Sequence, residues 1–274
     1  MPVQSPYEKP KEIELSHSLI KSDNLAGDVM LKEDHIFVSS GSGSSDFQFS
    51  AEVAEVFDDM LTRSIPFYVE QQRMIQEIAK KFHFQDANVY DLGCATATTL
   101  INLSEVLQQR AGFIGYDNSL AMLEYAKNKV SEKRLEDRID LRFGDLDGDL
   151  VTRPLENAGL VTLCWTLQFI RPMHRDRVIR WIYESLSDGG ALIMTEKILT
   201  QHSHTSRFFI DTYYTFKRRN GYSDSEIARK REALENVLVP YTIRENLEMI
   251  RRNGFEIVDT FFQWYNFAGF LCFK

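Results

Sequence analysis

Apolar residues recur along this chain first at helical spacing and then in short runs. From Ser50 to Arg63 they fall at Val53, Val56, Phe57 and Met60, one face of a 3.6-residue period. A second set, Met74, Ile78 and Phe82, follows Pro66, a residue suited to opening a helix. Two helices therefore precede the first strand. Next come a short apolar strand at Val89 to Leu92, a helix through Leu100, Leu103 and Val106, and a strand at Phe113 to Tyr116. A helix carrying Leu120, Leu123 and Val130 leads to strands at Ile139 to Phe143 and Leu160 to Trp165. A helix with Val178, Trp181, Ile182 and Leu186 leads to a strand at Ala191 to Met194. After a helical insertion, roughly residues 203–253, two strands around 255–262 and 267–273 close the chain as a hairpin across Gln263 to Asn266.

Strands that alternate with helices of this length imply βαβ units and an α/β, Rossmann-like fold: a mostly parallel sheet covered on both faces, ending in an antiparallel hairpin. Residues 1–46 carry weaker patterning and end in the Ser/Gly run Ser39 to Ser45, which has linker composition, so they read as a possibly flexible extension to a domain over 47–274. The 43% hydrophobic content of 274 residues suffices for one large core. A net charge of −8 removes the simplest route to nucleic-acid affinity, and no direct nucleic-acid partner is expected. Three scattered cysteines, Cys94, Cys164 and Cys272, fit neither a disulfide framework nor a zinc site. No apolar run approaches the roughly 20 residues that cross a bilayer. A cytoplasmic protein with no membrane partner is the expectation.

Candidate chemistry gathers where strands end. Tyr90-Asp91-Leu92-Gly93-Cys94-Ala95-Thr96-Ala97 spans the first strand-to-helix turn, where small residues let backbone approach a cofactor, although only one of them is glycine. Asp117 ends the second strand, 24 residues beyond Gly93, where a carboxylate can accept hydrogen bonds from a ribose diol; it could equally serve the start of the next helix. Gly144-Asp145-Leu146 ends the third strand, where an Asp could meet an adenine amino group. Leu186-Ser187-Asp188-Gly189-Gly190-Ala191-Leu192 resembles the turn into the fifth strand of class I methyltransferases. This ordered set favours S-adenosylmethionine (SAM) over a dinucleotide, and with it the class I SAM-methyltransferase fold. Asp145, Asp147, Asp149 and Glu156 sit at calcium-loop positions, but Leu150 replaces the required glycine and Pro154 interrupts the loop. His202 and His204 lack a third ligand nearby, so no metal is expected. Cys94 and Cys164 have no evident His partner for nucleophilic work.

At this level of detail the chain resembles the carboxy-SAM synthases. The matching stretches are Val53 to Met60, Tyr90 to Cys94, Asp117-Asn118-Ser119, Thr166-Leu167-Gln168-Phe169, Phe216 to Ser223, Leu234-Glu235-Asn236-Val237 and Phe262 to Phe267, so that the likeness runs from about Phe47 to the C-terminus. The resemblance implies that SAM's methyl group becomes a carboxymethyl group, giving carboxy-SAM, with prephenate as carboxyl donor and phenylpyruvate as by-product. A sulfonium ylide would capture the carbon dioxide released, chemistry that asks for positioning and electrostatics rather than a protein nucleophile. The product would serve uridine modification at the tRNA wobble position. Carried over by position, the carboxylate-binding arginine falls on Arg231, supplied across a homodimer interface. The other cofactor contacts fall on Tyr68, Gly93, Cys94, Ala95, Asp117, Asn118, Asp145 and Leu146.

Two positions depart from that pattern. The family's binding asparagine at the end of the fourth strand is Cys164 here, a poor hydrogen-bond donor beside the reacting end of the cofactor, and its Ser-Leu-Gly is Ala95-Thr96-Ala97. These departures keep two alternatives open: a small-molecule methyltransferase on the same scaffold, and a non-catalytic cofactor-binding partner of a tRNA-modifying enzyme.

Overall fold

The computed structural model describes residues 32–37, 47–82, 86–107 and 112–274. The Ser/Gly run at 39–45 lies outside the described residues. Five parallel strands come first: β1 (Asn88–Leu92), β2 (Phe113–Asp117), β3 (Ile139–Phe143), β4 (Ala158–Cys164) and β5 (Leu186–Leu199). The two-residue β6 (Tyr241–Thr242) flanks the end of β5, and β7 (Ile257–Trp264) and β8 (Phe267–Phe273) form the terminal hairpin. Strand order is β3-β2-β1-β4-β5-β8-β7, with β8 antiparallel to both its neighbours.

Central strands β1 and β4 are buried along almost their whole length, which is why they read as continuous apolar runs; β3, at the edge, alternates and turns Asp140 and Arg142 to water. Successive side chains point to opposite faces, and each face has its own core. On one side Val89, Phe113, Leu160 and Ile193 meet α2 (Tyr68–Lys81), α3 (Thr98–Val106) and α4 (Leu120–Glu132) through Ile75, Leu100 and Leu123. On the other, Tyr90, Ile114, Val161 and Met194 meet α5 (Pro172–Ser185) and α8 (Ile243–Arg252) through Ile179, Ile182, Met249 and Ile250. The segment read as one helical insertion thus divides. α6 (Ser203–Arg219) and α7 (Asp224–Ala233) stand beyond the end of β5, while α8 returns to the sheet as its last covering helix.

Local backbone chemistry moves several boundaries. Phe67, in the left-handed region at φ 57°, places a turn between Pro66 and the next helix, so α2 begins at Tyr68. Leu186 adopts extended dihedrals and starts β5 rather than ending α5. β5 then bulges at Gly190, where a side chain would meet the Ser187 carbonyl at 2.8 Å, before pairing with β4 again from Ala191.

Residues 32–37, part of the stretch read as an extension, lie against the domain. Asp34 is buried, accepting from Tyr222 Oη at 2.6 Å, and its own N–H donates to Asp59 at 2.7 Å. Asn220-Gly221-Tyr222-Ser223 is the hinge of this arrangement: Asn220 Nδ2 donates to the carbonyl of Arg63 at the end of α1 (Ala51–Ser64), Tyr222 holds Asp34, and Ser223 caps α7 through a capping box with Glu226. No helix among the described residues is long and apolar enough to cross a membrane.

Candidate active site

The carboxyl ends of β1 to β5 open into one cavity of about 770 Å³, within the range of small-molecule sites. Its first wall is the turn after β1. Gly93 has φ 76°, and a β-carbon there would sit 2.4 Å from the Thr166 side chain, so only glycine fits. Ala95 and Ala97 also take left-handed dihedrals, and the N–H groups of the turn find partners within the protein: Gly93 and Cys94 donate to the Tyr116 carbonyl and Ala97 to that of Cys94. Ala95 N–H donates to Asp117 Oδ2 at 2.9 Å, while Asp117 Oδ1 accepts from Ser119 N–H at 2.8 Å. Asp117 therefore supports the start of α4, and its carboxylate also lines the cavity. Burial raises its pKa against the pull of those backbone donors.

Along the sheet edge, Asn118 donates to Asp145 at 3.5 Å, and Leu146 is buried beside them. Asp145 also accepts the N–H of Asp147, whose carboxylate meets His174 Nδ1 at 2.8 Å. At the opposite end Tyr68, Trp165, Tyr213 and Phe267 make an aromatic wall against which Cys164 packs. The loop after β4 is pinned from beneath: Glu196 accepts from Leu167 N–H at 3.1 Å, and the fully buried Arg175 donates to the carbonyls of Gln168, Ile170 and Val239. Burial pushes the Glu196 carboxyl up to about 8. Burial likewise raises the Cys164 thiol and the Tyr68 phenol, so both stay protonated at neutral pH.

Tyr68, Gly93, Cys94, Ala95, Asp117, Asn118, Asp145, Leu146, Cys164 and Arg231 all line this single cavity. Arg231 reaches it from α7, its side chain 63% exposed and 4.0 Å from Glu232. It thus lines the cavity of its own chain, whereas the resemblance implies supply from a second subunit.

Residues 89–190 match the methyltransferase domain family. The chain is 47% identical over 245 residues to a carboxy-S-adenosyl-L-methionine synthase of Methylococcus capsulatus, covering 89% of this chain and 100% of that one. Identity to the synthase of the same name from Desulfotalea psychrophila is 44% over 244 residues, 89% of this chain and 98% of that one. The chain belongs to the carboxy-S-adenosyl-L-methionine synthase family. By structure it is similar to an O-methyltransferase family protein from Burkholderia thailandensis (TM-score 0.59, 12% identity, 85% of this chain and 65% of that one). It is also similar to human N-acetylserotonin methyltransferase in complex with SAM (TM-score 0.54, 14% identity, 82% and 55%). At such identities the likeness concerns the fold.

Within a synthase-family site the departures acquire a local setting. Thr96, in the Ala-Thr-Ala that replaces Ser-Leu-Gly, donates to Asp58 at 2.7 Å, and Thr98 donates to the same oxygen at 2.8 Å. Lys129 pairs with the other oxygen of Asp58, so α1 is tied across the turn that lines the cavity.

Sequence reading did not single out four further lining residues, Asp91, Lys197, Lys217 and Lys230. Asp91 had a readable signal, being the one acid in an otherwise apolar central strand. It accepts from Thr162 Oγ1 at 2.6 Å, and burial pushes it up to about 7. The lysines lie on β5, α6 and α7, and each alone resembles a solvated charge.

Proposed function

We propose that this chain makes carboxy-SAM from SAM and prephenate, with Arg231 holding the new carboxylate, Asp117 the ribose and Asp145 with Leu146 the adenine. The observation that carries the reading is the lining of one cavity. Ribose- and adenine-binding candidates stand at the ends of β2 and β3, and beyond the end of β4 lies a cationic region that ordinary methyl transfer does not require. Identity of 47% to a synthase across that protein's whole length supports the same activity.

The reaction balances without a protein nucleophile. Prephenate loses carbon dioxide and hydroxide as its ring becomes aromatic; the hydroxide takes one methyl proton from SAM and leaves as water. The carbon so exposed bonds to carbon dioxide. The protein's part is to hold the reactants together, exclude bulk water and stabilise the resulting carboxylate. Tyr68, Tyr213 and Cys164 fit this, because burial keeps all three protonated and so adds no negative charge beside the forming carboxylate. The reading extends to a cytoplasmic homodimer whose product goes on to tRNA modification. The negative net charge favours delivery of that product to another enzyme over direct contact with tRNA.

Mass spectrometry of protein incubated with SAM and prephenate is the test. A retained ligand heavier than SAM by one carbon dioxide, with phenylpyruvate released, is expected. Arg231→Ala should weaken carboxy-SAM binding by about 1.5 to 3 kcal/mol, the worth of a charge-assisted contact, and leave SAM affinity nearly unaltered. Retention of SAM alone, with no phenylpyruvate and no effect of Arg231→Ala, would replace the reading with methyl transfer or simple cofactor binding.

A further inference from the structure

Three lysines converge on one end of the cavity from three elements: Lys197 on β5, Lys217 on α6 and Lys230 on α7. Lys217 is only 5% exposed. Its Nζ makes no hydrogen bond or ion pair among the described residues and stands 4.9 Å from the Tyr213 ring centre and 6.0 Å from that of Tyr222. Lys197 Nζ lies 5.4 Å from the same Tyr213 ring, also with no ion pair among the described residues. Lys230 Nζ donates to Ser64 Oγ at 3.0 Å and is 3.9 Å from Asp34.

Lys217 and Lys230 thus share the charge of one carboxylate, Asp34, while no acid among the described residues pairs with Lys197. The next acid outward, Asp59, is held by Arg63 at 3.2 Å and offsets Lys230 only in part. Ring faces attract cations, but they do not replace the hydration that burial removes. A protein that keeps unpaired ammonium groups beside a cavity sacrifices stability there, and a ligand of opposite charge would recover it. Burial lowers Lys217 well below the ordinary lysine value, with Lys230 and Lys197 adding to the effect, and burial takes Lys230 down to about 8.

Position along the sheet indicates what binds there. The strand order places the proposed adenine contact at β3, the ribose contact at β2, the turn at β1 and Cys164 at β4, so Lys197 on β5 is the next station past the reacting end of the cofactor. We propose that Lys197, Lys217 and Lys230 form a subsite for a dianionic acid bearing two carboxylates, the carboxyl donor of the reaction, set apart from Arg231, which serves the product's carboxylate. Two carboxylates match the charge that Asp34 leaves uncompensated. This assignment rests on the synthase reading for the donor's identity, while the anion site itself rests on the lysines.

Calorimetry on protein saturated with S-adenosylhomocysteine, which lacks the reacting methyl group, at about pH 8, where Lys230 is partly deprotonated, tests it in two buffers of different ionisation enthalpy. Prephenate should bind with net proton uptake, and phenylpyruvate, with one carboxylate, should bind more weakly. Lys217→Met and Lys197→Met should each weaken prephenate roughly tenfold to a hundredfold and reduce proton uptake, because each removes a charge-assisted contact. SAM affinity should stay within about twofold, since neither lysine is near the nucleoside contacts. Lys217→Met should also raise Tm, a change opposite to that of a lysine kept for structure. Unchanged prephenate affinity and proton uptake in both variants would overturn the subsite even if the wild type makes carboxy-SAM. If the wild type neither binds nor turns over prephenate, the synthase reading fails by itself. Phenylmalonate, a dianion of another skeleton, then decides the subsite: binding that Lys217→Met abolishes sustains it, and no binding removes it.

Discussion

A single carboxylate links the turn after β1 to the helix after β2. Asp117 accepts Ala95 N–H with one oxygen and Ser119 N–H with the other, and in the proposed site its free lone pairs take the ribose diol. Asp117→Ala should lower SAM affinity by about 2 to 4 kcal/mol, as charge-assisted bonds contribute roughly 1.5 to 3 kcal/mol each. Calorimetry on the folded variant checks this, and unchanged affinity would leave Asp117 with its capping role alone. Cys164 is the complementary case, a protonated thiol where relatives of this family carry an amide by resemblance. Cys164→Asn should tighten carboxy-SAM retention by about 1 kcal/mol, a typical net hydrogen-bond contribution. Competition against SAM in the same preparation would measure it, and no change would mean that the thiol already suffices. Both residues are legible in the amino-acid sequence because their meaning lies in position relative to a strand end. Lys217 is not, since one lysine on a helix normally points to water, and only the packing of α6 through Tyr213 onto Tyr68, Trp165 and Phe267, with Tyr222 alongside, turns it inward.

Among the elements, the loop after β4 depends most on buried polar chemistry. Glu196 is 3% exposed, accepts from Leu167 N–H and neighbours the buried Arg175. Burial raises its carboxyl from 4.5 to about 8, so between those values the folded chain holds a proton that the unfolded chain releases. Its contribution to stability is complete below about 4.5 and is lost progressively as pH rises to about 8. Glu196→Gln keeps an acceptor for Leu167 but cannot titrate. Urea denaturation across this window should show wild-type stability falling relative to the variant, and parallel pH profiles would mean that Arg175 keeps Glu196 ionised. Sequence pattern located most elements, because a strand buried on both faces must be apolar throughout and a covering helix must carry one apolar stripe. It misplaced the starts of α2 and β5, which depend on left-handed Phe67 and extended Leu186, dihedral choices that periodicity does not encode.

For the whole molecule, the outer face of α6 is an apolar surface exposed among the described residues. Phe208 and Ile210 are 56% and 41% exposed, Phe67 is 56% exposed, and a groove runs between Phe67, Phe208, Phe216 and Trp264. Apolar side chains concentrated like this mark association surfaces, so light scattering should give twice the 31.8 kDa chain mass. A clean monomer at micromolar concentration would remove the dimer from the proposal. Mixing Arg231→Ala with Asp117→Ala subunits then asks where the arginine acts. On the present geometry, with Arg231 lining its own chain's cavity, mixed dimers should recover no activity; recovery would place it across the interface. What the sequence alone determined was the strand–helix alternation, the covered sheet and the identities at the ends of β1 to β4, because these follow from local periodicity and from residues a few positions apart. Tertiary structure alone decided that Asp34 would come to Tyr222 and Lys230, that α8 would rejoin the sheet while α6 and α7 stood apart, and that three lysines from three elements would line one cavity. Those are consequences of chain packing over long separations, where a charge's partner and solvation are set by whatever the fold brings beside it.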